Sequence, residues 1–341
     1  ILPVIAALGG MLFPVLFFLG VTPNHPESLG AAIPMATDIA FALAVLGSLG
    51  GRVPKSLYVF LATLAVADDI GGIIVIALFY SKGVSLLPLG IGLALVALLF
   101  LLGRLRVTAL EPYIIAGIAV WALFLQSGIH PTIAGVLVAL CIPAGSKVHI
   151  RELSRKLREL TSHLSTEARE AERAVILSHD QLKRIAEIKD TAGQAISPVQ
   201  TLEHALKPLV DYFILPLFAF VNAGVSFGDV SADMLLGLPL AIFLGLFLGK
   251  TVGISLFTYV AIRVKLCAWP EGMNLPRLIS LAVLGGIGFT VSLFIANLAY
   301  DGPELAQLLN EAKLGIFAGT IISGVVGYML LSRFLPKSEA K

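Results

Sequence analysis

The 341-residue chain is 57% hydrophobic and 13% charged, with a mean hydropathy of +0.93. Those values exclude an ordinary soluble domain and predict an all-α polytopic membrane protein. The formal charge of +2 is dispersed among apolar segments, which speaks against nucleic acid as a partner. Two cysteines, Cys141 and Cys267, make neither a disulfide framework nor a metal cluster.

A spanning helix needs about 20 mostly apolar residues. About ten segments answer to that description: Leu2–Gly20, Ala31–Gly50, Leu57–Tyr80, Leu86–Gly103, Tyr113–Gln126, Ile129–Ala144, Leu209–Ala223, Leu235–Ile262, Leu278–Tyr300 and Leu314–Phe334. The fifth to seventh are short and the eighth is long. Of the 24 Lys and Arg, only Lys82 and Lys313 fall in one set of alternate loops, and Lys250 falls inside a span. All the others lie in the opposite loops and the C-terminal tail, so that side is expected to be cytoplasmic. The chain opens Ile1-Leu2-Pro3 without an initiator Met or a charged leader, and so reads as the later part of a longer protein.

Spans one to three and eight to ten cross the membrane in opposite senses, as inverted-topology repeats would. The middle member of each triple is interrupted: Pro34-Met35-Ala36-Thr37-Asp38 in span two, and Gly285-Gly286-Ile287-Gly288 in span nine. Paired interruptions predict two broken helices crossing at mid-membrane, around a transport site. Taken singly, such Gly and Pro could equally serve packing or kinks.

Four ionisable residues sit near the middle of spans: Asp38, the adjacent pair Asp68 and Asp69, and Lys250. Even one charge at that depth costs roughly 3 kcal/mol on the lenient insertion scale. Neighbouring helical residues point about 100° apart, so one aspartate can pair with Lys250 while the other faces a water-filled site. Carboxylates with a hydroxyl such as Thr37 suit a hard cation. The same carboxylates bind protons, and competition between the two ions is the minimal chemistry of an antiporter. An ion-pair network that only fixes helix packing is the plain alternative, but three carboxylates against one lysine leave acid over. A sodium-coupled symporter would need more polar groups at the midplane. An intramembrane aspartyl protease using Asp38 and Asp68 would leave Lys250 and Asp69 unexplained.

The segments Thr37-Asp38-Ile39-Ala40-Phe41-Ala42-Leu43, Ala67-Asp68-Asp69-Ile70-Gly71, Leu215-Pro216-Leu217-Phe218-Ala219-Phe220-Val221-Asn222-Ala223-Gly224, Gly249-Lys250 and Gly286-Ile287-Gly288-Phe289-Thr290 resemble NhaA-type sodium/proton antiporters. The resemblance covers nearly all of the chain except the charged loop between spans six and seven. It implies an electrogenic, pH-regulated exchanger of cytoplasmic Na⁺ or Li⁺ for external protons in the bacterial inner membrane, with no cofactor. A homodimer and the lipid bilayer are the implied partners. By the same analogy Asp69 is the central cation and proton carboxylate and Asp68 its neighbour, paired with Lys250 in one conformation. Asp38, Thr37 and Lys250 balance the ends of the broken helices, and Gly285, Gly286 and Gly288 form the break. Glu203 and His204 are implicated in the pH response, with His130 a weaker third. The family has twelve spans, of which this chain is expected to begin at the third.

The expected organisation is residues 1–145 and 208–335 in the membrane, a charged cytoplasmic loop at 146–207, and a tail at 336–341. The loop holds 11 basic and 9 acidic residues, which sets it apart from the spans around it. Leu153, Leu157, Leu160 and Leu164 predict one amphipathic helix, and Leu182, Ile185 and Ile188 a second. Ser178 would cap that second helix, and Gly193 and Pro198 would end it.

Overall fold

The computed structural model describes residues 1–81, 83–145, 153–155, 158, 179–193, 195–225 and 232–336. The helix expected through Leu157, Leu160 and Leu164, the Ser178 cap and the tail beyond Pro336 lie outside the described residues. Among the described residues every regular element is helical. In chain order these are α1 (Leu2–Val21), a 3₁₀ segment (Glu27–Met35), α2 (Ile39–Ser48), α3 (Lys55–Phe79), α4 (Leu86–Arg104), α5 (Glu111–Ser127), α6 (Thr132–Cys141), α7 (His179–Gly193) and α8 (Pro198–Leu209). A π turn (Val210–Ile214) leads into α9 (Leu215–Asn222), and a short turn (Ala232–Leu235) precedes α10 (Leu238–Leu244). A second π turn (Gly245–Gly249) joins α10 to α11 (Lys250–Arg263); α12 (Leu275–Leu284), α13 (Phe289–Ala299) and α14 (Ala306–Phe334) complete the chain.

Six of these helical stretches are long and apolar enough to cross a membrane, or eight if each of two bent pairs counts as one span. The bent pairs are the interrupted segments: the 3₁₀ segment with α2, at 43°, and α12 with α13, at 49°. α5 and α6 are apolar but shorter. Pro198 differs from expectation. It starts α8 rather than ending α7, because the first turn of a helix does not need the amide that proline lacks. Ser197 and Gln200 close a capping box there.

The chain divides into two compact units, Ile1–Ser81 with the described residues from Asp211 onward, and the described residues between Lys82 and Val210. In the first unit the apolar core falls into two clusters. One gathers Ala6 of α1, Leu46 of α2, Leu57, Leu61 and Leu64 of α3, Ile254 of α11, Leu281 of α12 and Leu331 of α14. The other gathers Phe18 of α1, Ile33 of the 3₁₀ segment, Ile76 of α3, Ile242 of α10, Leu293 of α13 and Ile316 of α14. α1, α3 and α14 thus give one end to each cluster, as does the run from α10 through α11. The buried polar residues Thr37, Asp38, Asp68 and Lys250 fall, along their own elements, between the two.

Lipid tails are as apolar as leucine, so these helices are held by close approach rather than by escape from water. Gly9 and Gly253 bring α1 and α11 into backbone contact: a Cβ on either would collide with the other's carbonyl. Gly249 and Gly245, at successive steps of four, lie against Pro14 and Pro34, where an added Cβ would come within 2.6 Å. On α14 the buried face repeats at the same step through Gly315, Gly319, Ser323 and Gly327. There Gly315 meets Pro239 of α10, Gly319 meets Leu246 and Gly327 meets Leu284.

The second unit packs α4, α5 and α6 around Leu99, Tyr113 and Cys141, with Val199 and Leu202 of α8 against them. A further cluster joins Val120, Phe124 and Ala134. Gly103 lets α4 approach the Cys141 carbonyl.

Candidate ion site

The two helix breaks touch through backbone: the Asp38 amide donates to the Ile287 carbonyl at 2.6 Å. Asp38 is the N-cap of α2, and its Oδ1 accepts from the Phe41 amide at 3.2 Å. Its Oδ2 accepts from the amide of Thr290 at 3.0 Å and from that residue's hydroxyl at 2.5 Å. Thr290 lies in the first turn of α13, where the amides have no partner within the helix. One carboxylate therefore caps two helices and lies at the positive end of both. Ser292 adds a bond to the Ile33 carbonyl at 2.9 Å.

Thr37 lies 2.8 Å from the Gly285 carbonyl, 2.9 Å from Asp68 Oδ2 and 2.9 Å from Lys250 Nζ. A hydroxyl has a single proton. It can accept from Lys250 and donate either to Asp68 or to the carbonyl that ends α12, but not to both. Lys250 and Asp68 are directly ion-paired, with both side chains fully buried. The other oxygen of Asp68 is buried without a protein partner. Asp69, one residue on along α3, makes no ion pair with Lys250 among the described residues. Its Oδ1 is also buried without a partner, and no hydrogen bond or ion pair reaches this carboxylate among the described residues.

The break itself needs glycine for space. A Cβ at Gly286 would collide with the Leu246 carbonyl, and one at Gly288 would lie 3.2 Å from the Ala36 carbonyl and 2.9 Å from Leu246 Cδ2. At Gly285 it would meet Ile254 Cδ1 at 2.9 Å. The π turn ending at Gly249 adds one residue to its helical turn, which shifts the facing of Lys250 by about 100° relative to an unbroken helix.

The structure thus brings together Thr37, Asp38, Asp68, Lys250 and the three glycines, with Asp69 beside them. Glu203 and His204 are exposed on α8, in the second unit. His130 stands between α5 and α6 in that unit, its Nδ1 2.9 Å from the Thr132 hydroxyl. Sequence reasoning missed Thr290 as a partner of Asp38, the π turn before Lys250, and the glycine contacts of α1 with α11. The Gly245, Gly249, Gly253 spacing is a readable signal for the last of these. No group of three or more His, Cys, Asp or Glu side chains is arranged to hold a metal among the described residues.

Among the described residues, helices this long and apolar, with charged side chains buried beside two helix breaks, fit a multi-pass membrane protein, and the proteins this chain resembles are transporters rather than enzymes. Residues 1–331 match the family described as Na+/H+ antiporter 1, and the chain belongs to it. It is 52% identical over 341 residues to the Na(+)/H(+) antiporter NhaA of Porphyromonas gingivalis, covering 100% of this chain and 75% of that one. The NhaA protein of Parabacteroides distasonis is likewise 52% identical, over 344 residues, with 100% and 76% covered. That of Proteus mirabilis is 43% identical over 345 residues, again with 100% and 76% covered.

Proposed function

We propose that the chain exchanges Na⁺, or Li⁺, for protons across the bacterial inner membrane, with Asp69 and Asp68 as the carboxylates for which the two ions compete. The observation that carries this reading is the unequal state of the two neighbours. Each keeps a buried oxygen with no partner, but Asp68 is ion-paired with Lys250, while no hydrogen bond or ion pair reaches Asp69 among the described residues. A hard cation needs several oxygens. Asp69, the free oxygen of Asp68, the Thr37 hydroxyl and water would supply them. Asp38 is engaged by three donors, so its part is to hold the crossing.

A cation entering beside Asp69 weakens the hold of Lys250 on Asp68 and frees Thr37 to donate to the Gly285 carbonyl; protonation restores the pair. Admitting more protons than cations leave makes the cycle electrogenic. Alternating access then reorients the broken helices about the crossing. Around this centre we place ten spans in this chain, the triples 1–81 and 235–334 as inverted repeats, a cytoplasmic segment at 146–207 and a cytoplasmic C-terminus. Glu203 and His204 are the proposed pH-responsive pair, and a homodimer in the bilayer the proposed assembly. Membership of the antiporter family and identity above 40% to antiporters along the whole chain support this over a symporter or a protease.

The test uses proteoliposomes with an acidic interior, following internal pH as Na⁺, Li⁺ or K⁺ is added outside. Alkalinisation by Na⁺ or Li⁺ that disappears in Asp69→Asn is the expected result. Full exchange in Asp69→Asn would overturn the assignment.

A further inference from the structure

α2 and α14 are not packed together along their length. A crevice of about 550 Å³ separates them, walled by Phe41 and Val45 of α2, by Ile287 in the helix break, and by Ile321, Val325 and Met329 of α14. No charged side chain lines it among the described residues. Of its polar groups, Ser48 already donates to the Val45 carbonyl at 2.7 Å, Thr320 Oγ1 is buried without a partner, and Tyr328, 41% exposed, stands at the mouth. The mouth is formed by Phe41, Ile321, Val325 and Met329, which are 43–60% exposed and continue the apolar outer surface of two membrane-spanning elements. Water gains nothing from such walls, and the hydrocarbon bathing the mouth is the available filler. The dimensions agree. From Thr320 to Met329 the crevice follows α14 for about 13 Å, close to the roughly 15 Å of one leaflet's hydrocarbon.

We propose that the crevice between α2 and α14 is a binding site for one acyl chain of a membrane lipid. The chain enters from the leaflet on the Arg52 side, its end lying against Ile287 at the level of the break. Its consequence is mechanical. α2 carries Asp38 at its N-terminus and is tied at its far end by Arg52, which donates to the Ser332 carbonyl at 2.6 Å and the Pro336 carbonyl at 2.9 Å. Between those two ties Ala42 and Leu46 pack into the protein core, and the acyl chain is the packing partner of the remaining α2 face, the one that turns Phe41 and Val45 toward α14. The site rests on the chain's place in the membrane and not on the exchange chemistry proposed above.

Gly324 offers the discriminating substitution. A Cβ there meets only Ile287 Cδ1, at an ordinary 3.7 Å, so Gly324→Trp would put an indole where the acyl chain lies, and Gly324→Ala keeps the crevice open. The full protein is reconstituted with phosphatidylethanolamine bearing a diazirine at the end of one acyl chain, illuminated, and its label mapped by mass spectrometry. Wild type and Gly324→Ala should carry label at Val45, Ile287 and Val325 that survives detergent washing before illumination. In Gly324→Trp that label should be lost, while label on the open surface at Ile74 and Leu78 stays. Label at the crevice that washes away as readily as at Ile74, or is unchanged in a folded Gly324→Trp, overturns the proposal. So does a crevice protected from label in wild type, as when another protein segment fills it. Because the readout is labelling, a failure of the antiporter reading would leave this result standing.

Discussion

Lys250 is a charge without solvent, and Asp68 is the one ion-pair partner given to it. Removing one member of such a pair strands the other, which typically costs about 3–5 kcal/mol, while replacing both is often close to neutral. Lys250→Met should therefore lower the unfolding temperature in detergent sharply, and Asp68→Asn combined with it should recover most of the loss. Additive losses in the double variant would mean that the pair is not what holds Lys250 in place. Much of this scale was legible in the residues, since ionisable groups inside apolar segments are conspicuous. What was not legible is direction. Nothing local in Asp38-Ile39 says that the carboxylate also caps a helix begun 251 residues later at Phe289, and nothing in Thr37 says which carbonyl shares its proton.

Among elements, one contact sensitive to substitution is α1 against α11. A methyl group at Gly253 meets the Gly9 carbonyl, and backbone cannot rotate aside as a flexible side chain can. Gly253→Ala should destabilise by the 1–3 kcal/mol typical of overpacking, or more if the helices must part. Gly51→Ala, with open space around it, should be nearly silent. Folded yield and melting temperature of the two variants decide between backbone contact and a general intolerance of added bulk. The breaks in both bent spans were legible because Pro34 and three clustered glycines sit in otherwise continuous apolar runs. The π turn at Gly245–Gly249 was not, because a one-residue insertion leaves composition and hydropathy unchanged. Pro198 was misjudged for a related reason: proline marks a helix boundary, but the boundary can be a beginning.

For the molecule as a whole, the asymmetry of Lys and Arg predicts one orientation for the proposed spans. Single cysteines placed at Gly83 and at Arg106 in a cysteine-free background should react with an impermeant maleimide from opposite faces of intact and inverted vesicles, Arg106→Cys from the cytoplasmic face. Reaction of both from one face would break the ten-span reading, whatever the ion site does. The all-helical character was legible from hydropathy alone. Division of the first unit's core into two apolar clusters was not, because it depends on where each helix is cut by its polar residue. Only when Thr37, Asp38, Asp68 and Lys250 are aligned across elements do the two clusters separate.

The bond from the Asp38 amide to the Ile287 carbonyl has one more consequence. It is a single backbone bond between two helix breaks, and it exists only while the segments cross as they do here. Its amide proton is therefore a native reporter. Deuterium uptake at Asp38 should be slow in this arrangement and should quicken whenever the crossing opens. The rate at one amide would follow the working cycle without any label being attached.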